Sequence, residues 1–180
     1  AVALLVIQSG VSHALAEGAY AQRRSDCERA CALLGVNSLR NINADALDRL
    51  IEHPVLYRRA RHVVTENARV IQAATAIEAS DWEHLGALMT ESHRSLRDDY
   101  EVSCLELDAL VDYALAGRGV YGARLTGGGF GGCVIALVDE ASFEAVADNI
   151  AQRYAKHIGF SPVCYRVAAE AGASAIEIAR

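Results

Sequence analysis

Short runs of apolar and β-branched residues predict four β-strands along the 180-residue chain. Each run is bounded by polar residues or glycines, a pattern that is typical of strands with a buried face. The predicted strands cover Val2 to Ile7, Val120 to Thr126, Cys133 to Val138 and Val163 to Val167, and Gly10 to His13 is predicted as a loop. A glycine-rich connection joins the second strand to the third, so these two are expected to form a hairpin.

Apolar residues that recur every three or four positions predict the helices. Two helices are expected to begin at capping boxes, in which a serine side chain caps the first turn. These boxes are Ser80-Asp81-Trp82-Glu83 and Ser103-Cys104-Leu105-Glu106. The other predicted helices run from Glu17 to Leu34, from Asn41 to Ile51, from Pro54 for about six turns, and from Asp139 to His157.

The long helix from Pro54 is predicted to bury one face along its whole length, with arginine and glutamate residues on the opposite face. The helix that follows it is predicted to bury a similar stripe. The residues expected to be buried are Leu56, Ala60, Val63, Val64, Val70, Ile71, Ala74 and Ile77 on the first and Trp82, Leu85, Met89 and Leu96 on the second.

The order of the elements indicates an α+β fold. From Ser103 onward the pattern is helix, strand, strand, helix, strand, and the first strand of the chain is available to join this set. These elements build a ferredoxin-like antiparallel sheet packed with helices on one face. The remaining helices precede this unit as additional elements.

Charge and apolar run length exclude two classes of partner. The formal net charge is −6, and the 16 arginines and single lysine are spread along the chain. Nucleic acids and anionic membranes require a basic stripe, which is absent from this sequence. The apolar runs are far shorter than the roughly 20 residues that span a bilayer. We therefore expect neither nucleic acid nor a membrane as a partner.

The cysteines fit a reducing compartment. There are five of them at irregular spacing, which does not form a disulfide framework. Cys27 and Cys31 share one helical face, but no second pair or nearby histidine completes a four-ligand zinc site. Small buried residues are the better interpretation, and no metal ligand is assigned in the chain.

The stretch from Arg124 to Leu137 contains five glycines within six residues. Gly127, Gly129 and Gly132 satisfy the G-x-G-x-x-G spacing, but a dinucleotide site requires a helix after the loop, and here a strand follows. A Walker A loop is excluded because no Lys-Ser or Lys-Thr follows the glycines. Two interpretations remain: a loop whose amides line or support an anion site, or a tight β-turn without a ligand.

Two further places carry residues suited to chemistry. Tyr20, near a helix start, either presents its hydroxyl to a polar ligand or packs half-buried at the helix base, and its residue type favours packing. Asp98 and Asp99 have three possible roles. They bind Mg²⁺, act as acid and base with His93 shuttling a proton, or form ion pairs with Arg94 or Arg97.

Four stretches, taken in order, resemble conserved segments of the GHMP kinases in the form that the galactokinase branch of that family carries. The glycine stretch from Leu125 to Cys133 resembles the third motif of the family. The other stretches are Ala19-Tyr20 through Cys27-Glu28, Thr65-Glu66-Asn67-Ala68-Arg69, and Glu91-Ser92-His93 through Ser103. Four matches in the family order are more specific than one glycine loop.

The resemblance implies the C-terminal half of an enzyme that uses ATP and Mg²⁺ to convert α-D-galactose into galactose 1-phosphate. It implies that residues 1–35 end a substrate-side region between two domains and that residues 36–180 form the GHMP kinase C-terminal domain. In the family, the ATP phosphate loop, the catalytic Asp and its partner Arg lie upstream, in an N-terminal half that this sequence lacks. No catalytic residue is therefore expected in this chain.

Carried onto matching positions, the resemblance implies that Tyr20 hydrogen-bonds the sugar and that the glycine loop supports the phosphate site. The loop residues are Thr126, Gly127, Gly128, Gly129, Phe130, Gly131 and Gly132. A side chain at Gly128 or Gly129 is then expected to obstruct the phosphate. Ala19 and Ala21 depart from the Glu and Asn that the family often has beside this tyrosine, which bears on sugar specificity.

Two consequences are expected for the chain by itself. It is expected to be inactive, because a cleft built between two halves cannot be assembled from one. Its face toward the absent half is expected to be apolar and to promote self-association. The alternative function is a galactokinase-like sensor that binds sugar and ATP but acts through a protein partner. Either protein is expected in the cytoplasm.

Overall fold

The computed structural model describes residues 1–12 and 16–169, and an antiparallel four-stranded sheet lies at its centre. The strands are β1 Val2–Ser12, β2 Val120–Thr126, β3 Gly131–Asp139 and β4 Val163–Val167. Their order across the sheet is β2-β3-β1-β4, with β1 between β3 and β4. The predicted ferredoxin-like α+β class is confirmed, because the first strand joins the later hairpin as expected.

Strand β1 is longer than its apolar run predicted. It pairs with β3 from Val2 to Gln8, and after a register shift Ser12 pairs with Gly131 of the same strand. The predicted loop over 10–13 is therefore wrong as far as Ser12, and His13 lies outside the described residues. The extension brings the end of β1 alongside the start of β3, where the glycine loop ends.

The described α-helices lie where apolar periodicity predicted helices, but the last one begins at Phe143 and not at Asp139. Of the four residues predicted as the buried stripe of the helix after the long one, only Leu96 is buried, and Trp82, Leu85 and Met89 are half-buried. The region predicted as a short helix from Asn41 to Ile51 forms 3₁₀ segments at Leu39–Asn41 and Ala44–Leu50 instead. A further 3₁₀ turn, Glu140–Ser142, precedes the last helix. The α-helices are α1 Ala16–Leu34, α2 Pro54–Glu78, α3 Trp82–Asp98, α4 Leu105–Leu115 and α5 Phe143–Ile158.

Two apolar clusters form the core of the described part of the chain. The larger lies between the sheet and helices α4 and α5, and its fully enclosed side chains include Leu5, Ile7, Leu107, Leu110, Leu125, Val134, Ile150 and Tyr154. The smaller joins α1 and α2 to the 3₁₀ segments through Leu34, Leu47, Leu50 and Leu56. Cys27 and Cys31 pack, half-buried, against this smaller cluster.

The predicted buried stripe of α2 is wrong in its second half. Leu56 and Ala60 are buried, but Val70, Ile71 and Ile77 are 67%, 70% and 52% exposed. The buried α2 positions instead include two polar residues, listed with the others as Leu56, Arg59, Ala60, His62 and Ala76. Periodicity identifies an apolar face of a helix. It does not show whether another element of this chain covers that face.

Both predicted capping boxes are also corrected. Helix α3 is capped by Asp81, whose carboxylate accepts the N–H of His84 at 3.0 Å, and not by Ser80. Helix α4 begins after Cys104 without a side-chain cap. The Ser103 hydroxyl is instead engaged further along, because it donates to Asp108 at 2.5 Å.

Helix α3 crosses strand β2 at two glycines. A Cβ atom added to Gly122 would lie 1.9 Å from the carbonyl oxygen of Gly86. A Cβ atom added to Gly86 would lie 2.2 Å from the carbonyl oxygen of Tyr121. Backbones can approach this closely where neither residue has a side chain, and the contact holds α3 against the strand that leads into the glycine loop.

Candidate functional site

The glycine loop connects β2 to β3, as the sequence predicted, and its backbone requires glycine. Gly127, Gly129, Gly131 and Gly132 have φ angles of 88°, 83°, 119° and 89°. Phe130 is also left-handed, with φ 59°. Residues with a side chain rarely adopt such angles, so the glycine content follows from the path of the loop.

The loop borders an open cleft of about 620 Å³ at the end of β1. Gln8, Gly10 and Val11 line the opposite side of this cleft, and the loop residues from Thr126 to Cys133 line the near side. The extension of β1 noted above therefore forms one wall of the site. The volume falls within the range of small-molecule binding pockets.

The two sides of the loop differ in their surroundings. On the inner side the Phe130 N–H donates to the Val102 carbonyl at 2.7 Å, and a Cβ atom added to Gly129 would lie 2.2 Å from the same oxygen. On the other side, a Cβ atom at Gly127, Gly128 or Gly132 would meet nothing within 4 Å. The loop thus has one packed side and one open side.

Three backbone hydrogen-bond donors of the loop are left without a backbone partner among the described residues. Within the described part of the chain, no backbone acceptor pairs with the amide N–H groups of Gly127, Gly128 and Gly129. Successive amides in a turn of this kind form a concave site for anions. The geometry therefore fits the first of the two interpretations of the loop, an anion site.

Strand β2 is held at its loop end by a charged network on α2 and α3. Ser92 donates to Glu66 at 2.7 Å, Arg69 donates to Glu66 at 2.5 Å, and Arg124 lies 3.7 Å from the same carboxylate. Burial alone would raise the pKa of Glu66, but the bonds from Arg69 and Ser92 lower it below its ordinary value. The carboxylate is therefore ionised at neutral pH and anchors Arg124, two residues before the loop.

His93 of α3 contacts the same strand, β2, through a hydrogen bond to its backbone. Its side chain is buried, its Nδ1 accepts the Leu125 N–H at 3.4 Å, and its Nε2 lies 3.3 Å from Asp108. Because Nδ1 accepts a hydrogen bond, the ring carries its proton on Nε2. The structure thus places His93 behind the strand, in a supporting position, and not at the predicted Mg²⁺ or acid–base site.

The two adjacent aspartates separate from each other. Asp98 is exposed and pairs with Arg97 at 2.8 Å, which is one of the predicted ion pairs. Asp99 is buried and pairs with Arg61 of α2, a partner the sequence did not suggest. The described residues contain no group of three or more His, Cys, Asp or Glu that could hold a metal ion.

Tyr20 lies in the second turn of α1 and is 59% exposed, so its ring is not packed as a core residue. One helical turn further on, Arg23 donates to the carbonyl of Tyr100 at 2.5 Å and to that of Glu101 at 3.0 Å. The segment that receives these bonds continues to Val102, which contacts the glycine loop. Helix α1, which carries Tyr20, and the loop are thus joined through one short segment.

A buried hydrogen-bonded chain connects α2 to α3 beside this segment. Ser95 donates to Asp99 at 3.1 Å, so the 3.0 Å contact between His62 Nδ1 and Ser95 Oγ has the histidine as donor. Tyr100 stacks on His62 with 4.4 Å between ring centroids. In a catalytic triad the histidine stands between the serine and the aspartate, whereas here the serine stands between the histidine and the aspartate. This series of hydrogen bonds therefore holds α2 and α3 together and does not activate a nucleophile.

Burial lowers the pKa of His62 from 6.5 to about 4. Glu66 and Asp99 act in the opposite direction, and Arg69 and Arg124 reinforce the decrease. The unfolded chain therefore takes up a proton near pH 6.5 that the folded chain does not take up until about pH 4. The contribution of His62 to the free energy of unfolding is therefore fully present above pH 6.5 and is lost as the pH falls toward 4.

We expect the free energy of unfolding to decrease by on the order of 2 kcal/mol between pH 7 and pH 5 through His62 alone. Most carboxylates stay ionised in this window, which isolates the histidine. Denaturant titrations at both pH values measure the decrease. His62→Phe keeps an aromatic ring against Tyr100 but cannot titrate, and its decrease should be much smaller. An equal decrease in both proteins would assign the pH dependence to other groups.

The supporting residues Glu66, Ser92 and Arg124 were missed as site residues by the sequence reasoning. Glu66 and Ser92 belong to stretches that resemble conserved family segments. The helical pattern, however, places Glu66 on the solvent-exposed face of its helix and Ser92 near the end of the next helix. The available signal was the pair Ser92-His93 on the buried face of α3, since buried polar side chains require partners.

Comparison with known proteins assigns the domain to a family. Residues 73–156 match the family model described as GHMP kinases C terminal. The chain is 48% identical to galactokinase from Homo sapiens and 46% identical to galactokinase from Bos taurus, over 85% of this chain and 40% of each relative. The solved structure of Lactococcus lactis galactokinase complexed with galactose gives a TM-score of 0.87 at 35% identity, covering 92% of this chain and 44% of that one.

Residues 73–156 thus form a GHMP kinase C-terminal domain, and this range contains strands β2 and β3 and the glycine loop between them. Within that family the sequence and structure of the chain resemble the galactokinases, which confirms the resemblance inferred from the four motifs. The chain spans less than half the length of the curated relatives cited here.

None of the helices in the described ranges, 1–12 and 16–169, is long and apolar enough to cross a membrane.

Proposed function

We propose that this chain is the C-terminal part of a galactokinase, which phosphorylates the anomeric hydroxyl of α-D-galactose with ATP to give galactose 1-phosphate. The observation that carries this proposal is the glycine loop itself, which lines the cleft at the end of β1 and whose Gly127, Gly128 and Gly129 amides have no backbone partner in the described part of the chain. The likeness to galactokinases, one of them a structure complexed with galactose, supports the choice of substrate.

In the proposed reaction the anomeric oxygen bonds to the γ-phosphorus while the bond from that phosphorus to ADP breaks, and the hydroxyl proton passes to a base outside this chain. ATP supplies the phosphoryl group, and Mg²⁺ neutralises its charge when bound. The amides of Gly127 to Gly129 would hold a phosphate oxygen in a fixed position. Preorganised backbone donors of this kind stabilise developing negative charge without any side-chain chemistry.

Tyr20 would hydrogen-bond the sugar, as the family resemblance implies. Its exposure on α1 leaves it accessible to a ligand. The supporting network of Glu66, Arg69 and Arg124 would keep β2 from shifting when the anion binds. Phosphoryl transfer relies on position and electrostatics, so this rigidity is itself a contribution to catalysis.

The exposed apolar residues of α2, Val70, Ile71 and Ile77, would contact the remaining part of the whole protein. The chain covers only two fifths of its relatives in Homo sapiens and Bos taurus, so most of such a protein lies outside it. Contiguous exposed apolar surface is typical of a face that another unit covers. The same face would promote self-association of the chain when it is produced alone.

The test is a coupled ADP-release assay with Mg·ATP, run with and without galactose, on the whole protein and on this chain alone. We expect galactose-dependent ADP release from the whole protein and none from the chain. ADP release that does not depend on galactose would contradict the proposed substrate. Sugar binding by the whole protein without ADP release would favour the sensor that the sequence left open.

Gly128→Val tests the open side of the loop. A Cβ atom at Gly128 meets no protein atom within 4 Å, and the backbone of Gly128 is not left-handed, so the fold should accept the side chain. It would occupy space beside the phosphate, and misplacing a reacting group by about 1 Å can reduce the rate by roughly 100-fold. We expect a decrease of that order in kcat of the whole protein with an unchanged urea midpoint. Unchanged kcat would contradict the role of the loop.

A further inference from the structure

The segment from Asp99 to Val102, here called the 99–102 turn, lies between the two elements to which ligand contacts have been assigned. Glu101 has a left-handed backbone with φ 53°, which is uncommon for a residue with a long side chain. Such a conformation costs roughly 1–3 kcal/mol and persists where surrounding contacts fix it. The contacts that fix this turn come from α1, α2 and the glycine loop.

Helix α1 holds the backbone of the turn. Arg23 donates from Nε to the Tyr100 carbonyl at 2.5 Å and from Nη2 to the Glu101 carbonyl at 3.0 Å. Both bonds are charge-assisted, since the donor is a guanidinium. Arg23 is one helical turn after Tyr20, so the position of the turn relative to α1 is also its position relative to Tyr20.

Helix α2 holds the carboxylate of the turn. Arg59 donates to Glu101 Oε2 at 2.6 Å, and Arg58 donates to Oε1 at 2.8 Å. Arg59, which is 3% exposed, also donates to the Asp99 carbonyl. Hydrogen bonds from Arg59 and Arg58 hold the pKa of Glu101 below its ordinary value. Two adjacent arginines therefore close on one carboxylate.

The far end of the turn contacts the glycine loop. The Val102 carbonyl accepts the Phe130 N–H at 2.7 Å, and Gly129 packs directly against the Val102 backbone. The Val102 N–H donates to the Leu96 carbonyl at 3.0 Å, which ties this end to α3. A displacement of the turn would therefore displace the packed side of the loop.

We propose that Glu101 is a positioning residue that fixes the spacing between α1, which carries Tyr20, and the glycine loop. This inference rests on the proposed function, because it assigns galactose to one end of the turn and the phosphate to the other. The carboxylate acts by neutralising Arg58 and Arg59 while its backbone receives Arg23. Because Arg58 and Arg59 engage both carboxylate oxygens, Glu101 would act through the turn and not through a bond to a substrate.

Glu101→Gln in the whole protein tests this role, because the amide keeps the size of the side chain and removes its charge. We expect the KM values for galactose and for ATP both to rise, each about 5-fold, since one turn positions both sites. Glu101→Asp, which restores the charge and tolerates the left-handed backbone, should return both values toward those of the unchanged protein. Glu144→Gln serves as the matched control, because it removes an exposed carboxylate of α5 that lies 3.3 Å from Arg166 of β4.

A purely structural ion pair would give a different result. It would lower the urea midpoint and leave both KM values unchanged at temperatures well below unfolding, and that outcome would overturn the proposal. A change in only one of the two KM values would also overturn it, since the turn would then serve one site alone.

Amide hydrogen exchange provides a readout that does not depend on activity. Glu101→Gln should speed the exchange of the Phe130 amide, which donates to Val102, and Glu144→Gln should not. If the unchanged protein does not phosphorylate galactose, the proposed function fails while this comparison still decides the role of Glu101. Unchanged Phe130 exchange in Glu101→Gln would refute the coupling between the turn and the loop.

Discussion

Gly129→Val in the whole protein is expected to lower the free energy of unfolding by about 2–6 kcal/mol, the sum of backbone strain and overpacking. Two causes act together. The φ angle of 83° is unfavourable for a β-branched residue, and the new Cβ would lie 2.2 Å from the Val102 carbonyl oxygen. The Val102 backbone cannot rotate away as a side chain would, so the loop must leave its contact. Urea denaturation measures the loss, and kcat should fall with it.

Other glycines of the same loop separate these causes. Gly127→Val shares the strain, with φ 88°, but its Cβ atom would meet nothing within 4 Å, so we expect a loss of roughly 1–3 kcal/mol. Gly128→Val has neither strain nor contact, and its stability should be unchanged. The expected order of loss is Gly129, then Gly127, then Gly128. A Gly129→Val protein as stable as Gly128→Val would show that the loop does not pack against Val102.

Arg59→Met is expected to cost about 3–5 kcal/mol, which is the usual loss when one partner of a buried ion pair is removed. Arg59 is 3% exposed and lies 3.8 Å from Asp26, which is also 3% exposed, and it bonds Glu101 at 2.6 Å. Methionine fills a similar volume, so packing changes little. Among the described residues, the buried Asp26 carboxylate then keeps only the neutral Gln22 amide at 2.8 Å and the exposed Arg29 at 3.6 Å. Denaturant titration of the whole protein measures the loss.

Two comparisons show whether the loss comes from the buried charge. Arg24→Met removes an arginine from an exposed pair within α1, between Arg24 and Glu28, and should leave the free energy of unfolding nearly unchanged. The double variant Arg59→Met with Asp26→Leu removes both charges and should recover a large part of the loss. A double variant less stable than Arg59→Met would contradict the assignment to the unpaired carboxylate.

The structure separates Gly128 from Gly129, for which the sequence predicted the same effect of substitution. A side chain at Gly128 or at Gly129 was expected to obstruct a phosphate. Gly128 faces the open side of the loop and keeps that prediction, whereas Gly129 faces Val102, so its substitution acts through the fold. Five glycines in six residues indicate an unusual backbone path, but they do not show which side of the path faces the protein.

The sheet was predictable because its signals are local. Each strand is a short apolar run, and the hairpin between β2 and β3 follows from the glycines that separate them. The pairing of β1 with the later strands spans most of the chain, but few arrangements are compatible with a helix, strand, strand, helix, strand order. The lengthening of β1 to Ser12 was not predictable, because its last residues are held by Gly131 of the partner strand.

By itself the sequence determined the element order, the fold class, the turn that needs glycine and the family resemblance, because these depend on periodicity and on residues close in the chain. The tertiary structure alone decided which charged residues are buried. Nothing in the helical pattern marks Arg59, His62 or Asp99 as buried, yet they pair across helices and with the 99–102 turn. A charge can be buried only where distant partners neutralise it, and the positions of those partners are fixed by packing.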